Sequence, residues 1–449
     1  MQYLPEQVQV GLSATHQSTR QWARSIALSV LVGVAYYLAA RLSLLLLTKP
    51  DGVAVFWPAS GVAAGVLIAL GPVARLPVAV GAAVATVVAN LMGDRALTSA
   101  IVFALCNAGE ALVAGWLIER YFGSGFSLDR LSHVLGLLTA AILATTISGI
   151  GGTAGFLYFH NSTAPILSTW QHWFASDALG ILTIAPLIIE LAATGREPPS
   201  RTELIEGITA LVALAGASAA VILLPQGHWG IVVPIALLFP LLLWLAARCR
   251  PIFAATAAFI IAFALVWMTT FNIGYFGESF LSIEQRILGA QASILAISLC
   301  ALVLASLFAE RRHHEAALFD GQARLQEALT AGGVVAFEWD ALTTASQRSD
   351  NAAQILGFDP KQNFSATQFL ARVHPDDRGQ FKSLIHSVSP ERPSASTGGI
   401  PEIQLLQQLT RHPDPISRLS GRLESVDGAE RALYKTPNGG GRNPAAAVL

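Results

Sequence analysis

Charge is what this chain has least of. Only 13% of its 449 residues are Asp, Glu, Lys or Arg, about half the share of an ordinary soluble protein. That scarcity excludes the reading of the length as about three soluble domains. Hydrophobic residues make up 53% of the chain, which instead places its body in a membrane. The remaining charge sums to -1 and contains no run of five or six like residues, so no field draws in nucleic acid or acidic substrates. Cysteine is nearly missing as well. Cys106, Cys249 and Cys300 fall in or beside apolar runs with neither disulfide-framework nor metal-ligand spacing, and read as small packed hydrophobes.

The charge that is present is unevenly placed. Residues 1–310 hold 13 Lys/Arg and 14 Asp/Glu, whereas the 139 residues from Arg311 onward hold 15 of each. A spanning helix needs about 20 mostly apolar residues, and ten such stretches are predicted, at 26–47, 53–70, 74–91, 97–118, 134–158, 167–192, 205–224, 229–247, 252–271 and 287–309. The fifth carries Gly149, Gly151, Gly152 and Gly155, and the eighth is interrupted by Pro234 and Pro240, so these two are the candidates for broken or re-entrant segments. A polar stretch of about 25 residues precedes the first apolar run, which is longer than a signal-peptide core, so that helix is expected to stay as an anchor.

Ten spans create two sides, and their basic residues can be counted. With Arg41 set aside inside the first span, one side receives eleven: Arg20, Arg24, Arg75, Arg120, Arg130, Arg196, Arg201, Arg248, Arg250, Arg311 and Arg312. The other receives only Lys49, Arg95 and Arg286. By the positive-inside rule both termini are expected in the cytoplasm.

Ionisable groups at membrane depth are costly and tend to be functional. Glu110 lies mid-way along the fourth span with Asn107 about one turn before it, and Asp177 mid-way along the sixth. Trp170, Trp173 and Asp177 stand at i, i+3 and i+7, which puts two indoles and a carboxylate on one stripe. Together with Trp57, Pro58 and Ser60 near the outer end of the second span, they are candidates to line an aromatic-walled polar pocket open to the outer side. A second reading stands beside this one, in which the carboxyls are glue between helices and the tryptophans interfacial anchors. Arg41 can snorkel to the interface. His172 faces away from the stripe, has no second ligand at a supporting spacing and reads as a packed or interfacial histidine rather than a metal ligand.

Three segments carry a resemblance: Val55-Phe-Trp-Pro-Ala-Ser-Gly61, Cys106-Asn-Ala-Gly-Glu-Ala-Leu112, and Trp170-Gln-His-Trp-Phe-Ala-Ser-Asp177-Ala-Leu-Gly180 followed by Ala185-Pro186-Leu187. In order and separation they resemble the signature segments of the bacterial membrane-associated sensor type one domain, over about residues 26–309. The resemblance implies an integral-membrane sensory input, usually followed by PAS modules and a histidine kinase, GGDEF or EAL output, with a ligand it does not name.

Beyond the last span, residues 310–329 read as a helical connector with Leu318, Leu325 and Leu329 on one stripe. Such a stripe suits a parallel helix pair in a homodimer, and equally a plain juxtamembrane helix. His313-His314-Glu315 lacks the residues that follow a kinase phosphoacceptor histidine. Residues 330–389 resemble the first half of a PAS domain: Val334 to Asp340 alternates like a strand, and Val373-His374-Pro375-Asp376-Asp377-Arg378 matches a PAS signature. In that resemblance His374 positions a helix start rather than binding haem, and no cysteine follows Cys300 to form a flavin adduct. Residues 390–449 hold one aromatic from residue 391 onward, Tyr434, with scattered prolines and Asn438-Gly439-Gly440-Gly441, and read as a disordered or aberrant tail that leaves the PAS sheet incomplete by truncation or frame alteration.

The expected fold is therefore an all-α polytopic membrane bundle of about ten helices, residues 26–309, after a cytoplasmic extension at 1–25 and before the connector and a small, incomplete α+β PAS-like segment. The expected function is signal detection in a bacterial inner membrane. No phosphoacceptor box, nucleotide-binding box, GGDEF, EAL or phosphate loop marks the chain as an enzyme, so output falls to a kinase or cyclase partner. No cofactor is indicated. The alternatives are a transporter using midplane carboxylates, or a fragment of a sensor kinase or diguanylate cyclase.

Overall fold

The computed structural model describes residues 6–45, 55–160, 165–223, 232–273 and 282–331, with short pieces beyond. The chain divides into two compact units, Met1–His313 and His314–Leu449.

Among the described residues the regular structure of the first unit is all helical. Its helices are α1 (Glu6–Leu45), α2 (Pro58–Leu70), α3 (Arg75–Leu91), α4 (Leu97–Phe122), α5 (Leu131–His160), α6 (Ile166–Arg196), α7 (Arg201–Leu223), α8 (Val232–Arg248), α9 (Pro251–Thr270) and α10 (Ile283–Ala331). Each of the ten predicted stretches falls on one of these. Eight contain a segment long and apolar enough to cross a bilayer, while α2, at 13 residues, and the described part of α8 are shorter. The glycines of α5 do not break it: Leu131–His160 is one helix. Pro240 stands inside α8, as Pro186 does inside α6.

Helix ends follow the sequence's punctuation. Pro58 and Pro251 occupy the first turns of α2 and α9, where a missing N–H is harmless. Gly71 and Gly123 end α2 and α4 with φ of 72° and 77°, a backbone region that glycine enters without strain.

The packing places α6 at the centre. α2 and α5 lie against it, α9 meets it from the second half of the chain, and α4 touches both α2 and α5. From Ser176 to Pro186 every residue of α6 is buried, the pattern of a helix enclosed by neighbours. α1 packs on α3, and its Val30, Leu31, Val34 and Leu38 stay exposed, as side chains facing lipid do. In the second half α7, α8 and α9 pack on one another. Ala290, Ile294, Ile297 and Ala301 of α10 join their core.

The closest helix contact is between α2 and α6. A Cβ added at Gly61 would overlap the carbonyl oxygen of Gly180, and one at Gly180 would overlap that of Trp57. The two backbones therefore touch, as small residues permit in membrane bundles.

In the second unit the described pieces include short strands. β1 (Phe337–Trp339) pairs antiparallel with β2 (Ser346–Arg348) and with β3 (Ile403–Leu406), and β3 pairs with β6 (Glu424–Ser425). A separate pair joins β4 (Thr410–Arg411) to β5 (Leu419–Ser420). β1 lies within the predicted strand at 334–340. His374, Asp376 and Asp377, most of the expected PAS helices, Tyr434 and the run Asn438–Gly441 lie outside the described residues, and the strands alone do not support a PAS fold.

Candidate functional site

The three motif segments converge. Trp57 precedes α2 in a short non-helical segment that also holds Val55 and Phe56, both buried. Non-helical backbone at membrane depth must find partners within the protein. Here the Trp57 N–H donates to Ser176 O at 3.1 Å, and Gln291 Nε2 of α10 donates to Val55 O at 3.0 Å. Pro58 then starts α2, which turns Ser60 into the bundle.

A pocket of about 490 Å³, its open mouth included, lies between these elements. Trp57, Arg95, Phe103, Asn107, Trp173 and Asp177 are among the residues that line it. From the α3–α4 turn Arg95 donates to Asn90 Oδ1 at 3.1 Å, and its guanidinium lies 5.6 Å from the Phe103 ring centroid. Phe103 in turn meets Trp173, centroids 5.0 Å apart and tilted by 52°. Desolvation by burial lowers the Arg95 pKa from its usual value. The pocket thus grades from a cation through aromatic walls to the polar floor of Asn107 and Asp177.

Where four helices meet, Glu110 of α4, Ser60 of α2 and Ser148 of α5 lie behind the floor, next to Asp177 of α6. Glu110 is 2% exposed, and Ser60, Ser148 and Asp177 are 3% exposed. Glu110 lies within reach of the other three. None of these contacts has settled into hydrogen-bonding geometry: both Glu110 oxygens, Asp177 Oδ2, the two serine hydroxyls and Asn107 Oδ1 are buried without partners. Asn107 is held from its other side, its Nδ2 donating to Thr86 Oγ1 at 3.5 Å. Tyr36 of α1 accepts a long bond of 3.4 Å from Trp57 Nε1.

Of the sequence candidates, Trp57, Asn107, Trp173 and Asp177 line the pocket, and Ser60 and Glu110 stand behind it. Pro58 is a helix start. Trp170 lies outside the pocket lining, stacking on Phe174 with centroids 5.2 Å apart and packing over Gly149. His172 is buried. Among the described residues, no three or more His, Cys, Asp or Glu side chains are gathered as a metal set.

Sequence reasoning missed Arg95, Phe103, Tyr36, Ser148 and Gln291. Arg95 left a signal, being one of three basic residues on the sparse side. A serine, a glutamine or a phenylalanine in an apolar helix leaves none.

At the other end of the bundle the basic residues are engaged in ion pairs and caps. Arg75 pairs with Glu119, Arg248 with Glu206 at 3.0 Å and Arg250 with Glu203 at 3.6 Å. Arg312 of α10 donates to Ala247 O at 2.8 Å and Cys249 O at 2.9 Å, capping the end of α8.

The class these features define is a polytopic helical membrane protein with a polar site buried between its helices. The family model MASE1 matches residues 28–312, and the chain belongs to that family, a multi-helix membrane sensory domain. No curated protein and no solved structure matches the chain.

Proposed function

We propose that the chain is a sensory protein of the bacterial cytoplasmic membrane, with both termini in the cytoplasm. A small amphipathic signal enters the pocket from the outer side and changes the packing around Trp57, Trp173 and Asp177. One observation carries this reading: the bond from Gln291 of α10 to Val55 O, two residues before the pocket wall Trp57. The same helix holds the end of α8 through Arg312 and runs on to Ala331. A signal that favours one arrangement of the Val55–Trp57 segment thereby biases α10, provided that helix has two arrangements of similar energy.

In this reading α10 extends as the connector of a homodimer and hands the change to the PAS-like segment. The chemical output belongs to a kinase or cyclase partner, and this chain is not itself an enzyme.

The test begins with thermal-shift screening of small amphipathic compounds on the purified chain. A true signal should stabilise the wild type and bind W173A about tenfold more weakly or worse, a loss of roughly 1.4 kcal/mol. It should also change the distance between spin labels placed at R324C in the dimer. Q291L should keep the binding and lose the distance change. Binding without any distance change in the wild type would sink the proposal, and uptake of the compound by proteoliposomes would establish a transporter instead.

A further inference from the structure

The chemistry of the pocket changes in order along its wall. At one end is Arg95, the one positively charged side chain among the described residues that line the pocket. It donates to Asn90 Oδ1 at 3.1 Å, which fixes the direction of the guanidinium. A guanidinium is a planar fork of N–H donors that meets a carboxylate with two bonds at once. One such fork neutralises a carboxylate, whereas a phosphate monoester carries close to two negative charges.

The middle of the wall is aromatic. The Phe103 ring centre lies 5.6 Å from the Arg95 guanidinium and 5.0 Å from that of the Trp173 indole, and Trp57 and Phe156 also line the pocket. Rings attract rings in offset and edge-on arrangements beyond the area they bury. A flat aromatic body is therefore held here better than an alkyl chain of equal size.

At the floor two polar groups come together without bonding. Trp173 Nε1 lies within reach of the Asp177 carboxyl, yet Nε1 and Asp177 Oδ2 are both buried with no hydrogen-bond partner. The indole N–H can only donate. A hydroxyl placed between the two satisfies both, accepting from the indole and donating to the carboxyl oxygen. An ammonium has no lone pair for the indole, and an ether or ketone has no hydrogen for the carboxyl. A third lining residue, Asn107, also keeps a buried oxygen, Oδ1, without a partner.

We propose that the pocket binds a small hydroxy-aromatic carboxylic acid. Its carboxylate sits on Arg95, its ring lies against Phe103 and Trp173, and its hydroxyl bridges Trp173 Nε1 and Asp177. The proposal rests on the reading of the pocket as a signal site and gives that signal a chemical class. A simple phenol makes only the floor contact and a simple aromatic acid only the Arg95 contact, so recognition needs both ends.

The experiment is isothermal titration of the purified full chain with para-hydroxybenzoate, para-hydroxyphenylacetate and para-hydroxyphenylpropionate, which differ only in the linker between ring and acid. At least one should bind saturably. For that one, removing the hydroxyl or converting the acid to its primary amide should each weaken binding about tenfold, and replacing the carboxylate with an amine should abolish it. R95Q should erase the preference for acid over amide. W173F, which keeps an aromatic ring and lacks the N–H, should erase the preference for the hydroxylated compound. A fold that is merely loosened weakens all the compounds alike and erases neither preference. The proposal is overturned if none of the three acids binds, if the amine binds as well as the acid, or if the wild type does not rank the parent above both its deoxy and amide analogues. These outcomes are read on the wild type, so they decide the matter even where a variant fails to fold. Folded variants that both keep both preferences overturn it too. Spin labels at R324C separate this proposal from the sensor reading. Binding with the expected ranking but no distance change removes signalling and leaves the ligand class. Another amphipathic compound that binds and moves the labels, when none of the acids binds, removes the ligand class and leaves the sensor.

Discussion

Gly152 and Trp173 explain each other at the scale of single residues. A Cβ on Gly152 would run into the indole of Trp173, and one on Gly149 would sit 3.1 Å from Nε1 of Trp170. Two glycines that look from the sequence like weak points of a long helix are instead the seats of two tryptophans. The sequence supplied the i, i+3, i+7 stripe of Trp170, Trp173 and Asp177, because helical periodicity is local. It could not supply the seats, because they come from a different helix. For the same reason Ser148 was invisible.

Cys249 also belongs at this scale. It is wholly buried at the turn between α8 and α9, outside the spanning segments, with its carbonyl held by Arg312. Burial, with lesser contributions from Glu206 and Glu203, pushes its thiol up to about 11. Because the thiolate is the reactive form, a raised pKa keeps Cys249 protonated and inert until the pH nears that value. At pH 8 roughly one thiol in a thousand is ionised, so a water-soluble maleimide should react about two orders of magnitude more slowly than with an unperturbed thiol of pKa near 8.5. The rate can be compared with that of S124C, a thiol placed in the α4–α5 turn. Equal rates would mean that the α8–α9 turn opens freely in solution.

At the scale of elements, α2 needs the most explanation. Thirteen helical residues rise about 20 Å, short of the roughly 30 Å hydrocarbon core. The preceding Val55–Trp57 segment makes up part of the length, and it is tolerated because Ser176 O and Gln291 satisfy its backbone. The hydropathy of residues 53–70 reveals an apolar segment but not that its first residues are non-helical, since those contacts lie more than a hundred residues away in sequence. That arrangement depends on α2 and α6 touching at Gly61 and Gly180. Gly180→Ala drives a methyl into the Trp57 carbonyl, a backbone atom that cannot step aside, and should destabilise by more than about 4 kcal/mol, beyond the ordinary range for one substitution. Gly109→Ala is the control: nothing lies within 4 Å of its added Cβ, so the better helix former should gain about 0.5–1 kcal/mol. Denaturant unfolding of both purified variants measures the pair. A mild Gly180→Ala would show that α2 can slide along α6, and the pocket wall with it.

At the scale of the molecule, two independent patterns bear on how the chain crosses the bilayer. One is the eleven-to-three division of Lys and Arg, taken from the sequence alone. The other is the pairing of side chains at the two ends of the bundle. Arg75 meets Glu119, Arg250 meets Glu203, and Arg312 meets the end of α8, all among residues assigned to the basic side. Arg95 meets Asn90 and Arg286 meets Asn272 on the sparse side. The pairing of Arg250 with Glu203 agrees with the alternation only if α8, though short, also reverses the chain's direction, because removing α8 from the count puts those two residues on opposite sides. The expected outcome can therefore be read from single cysteines and a membrane-impermeant maleimide. G93C and N272C should label in intact cells, and S124C and S200C only after the membrane is opened. G93C and N272C stand on opposite flanks of α8, so labelling of the first without the second would assign α8 to a re-entrant path. Protection of G93C with labelling of S124C would invert the whole bundle, place the pocket on the cytoplasmic side and remove the basis for an external signal.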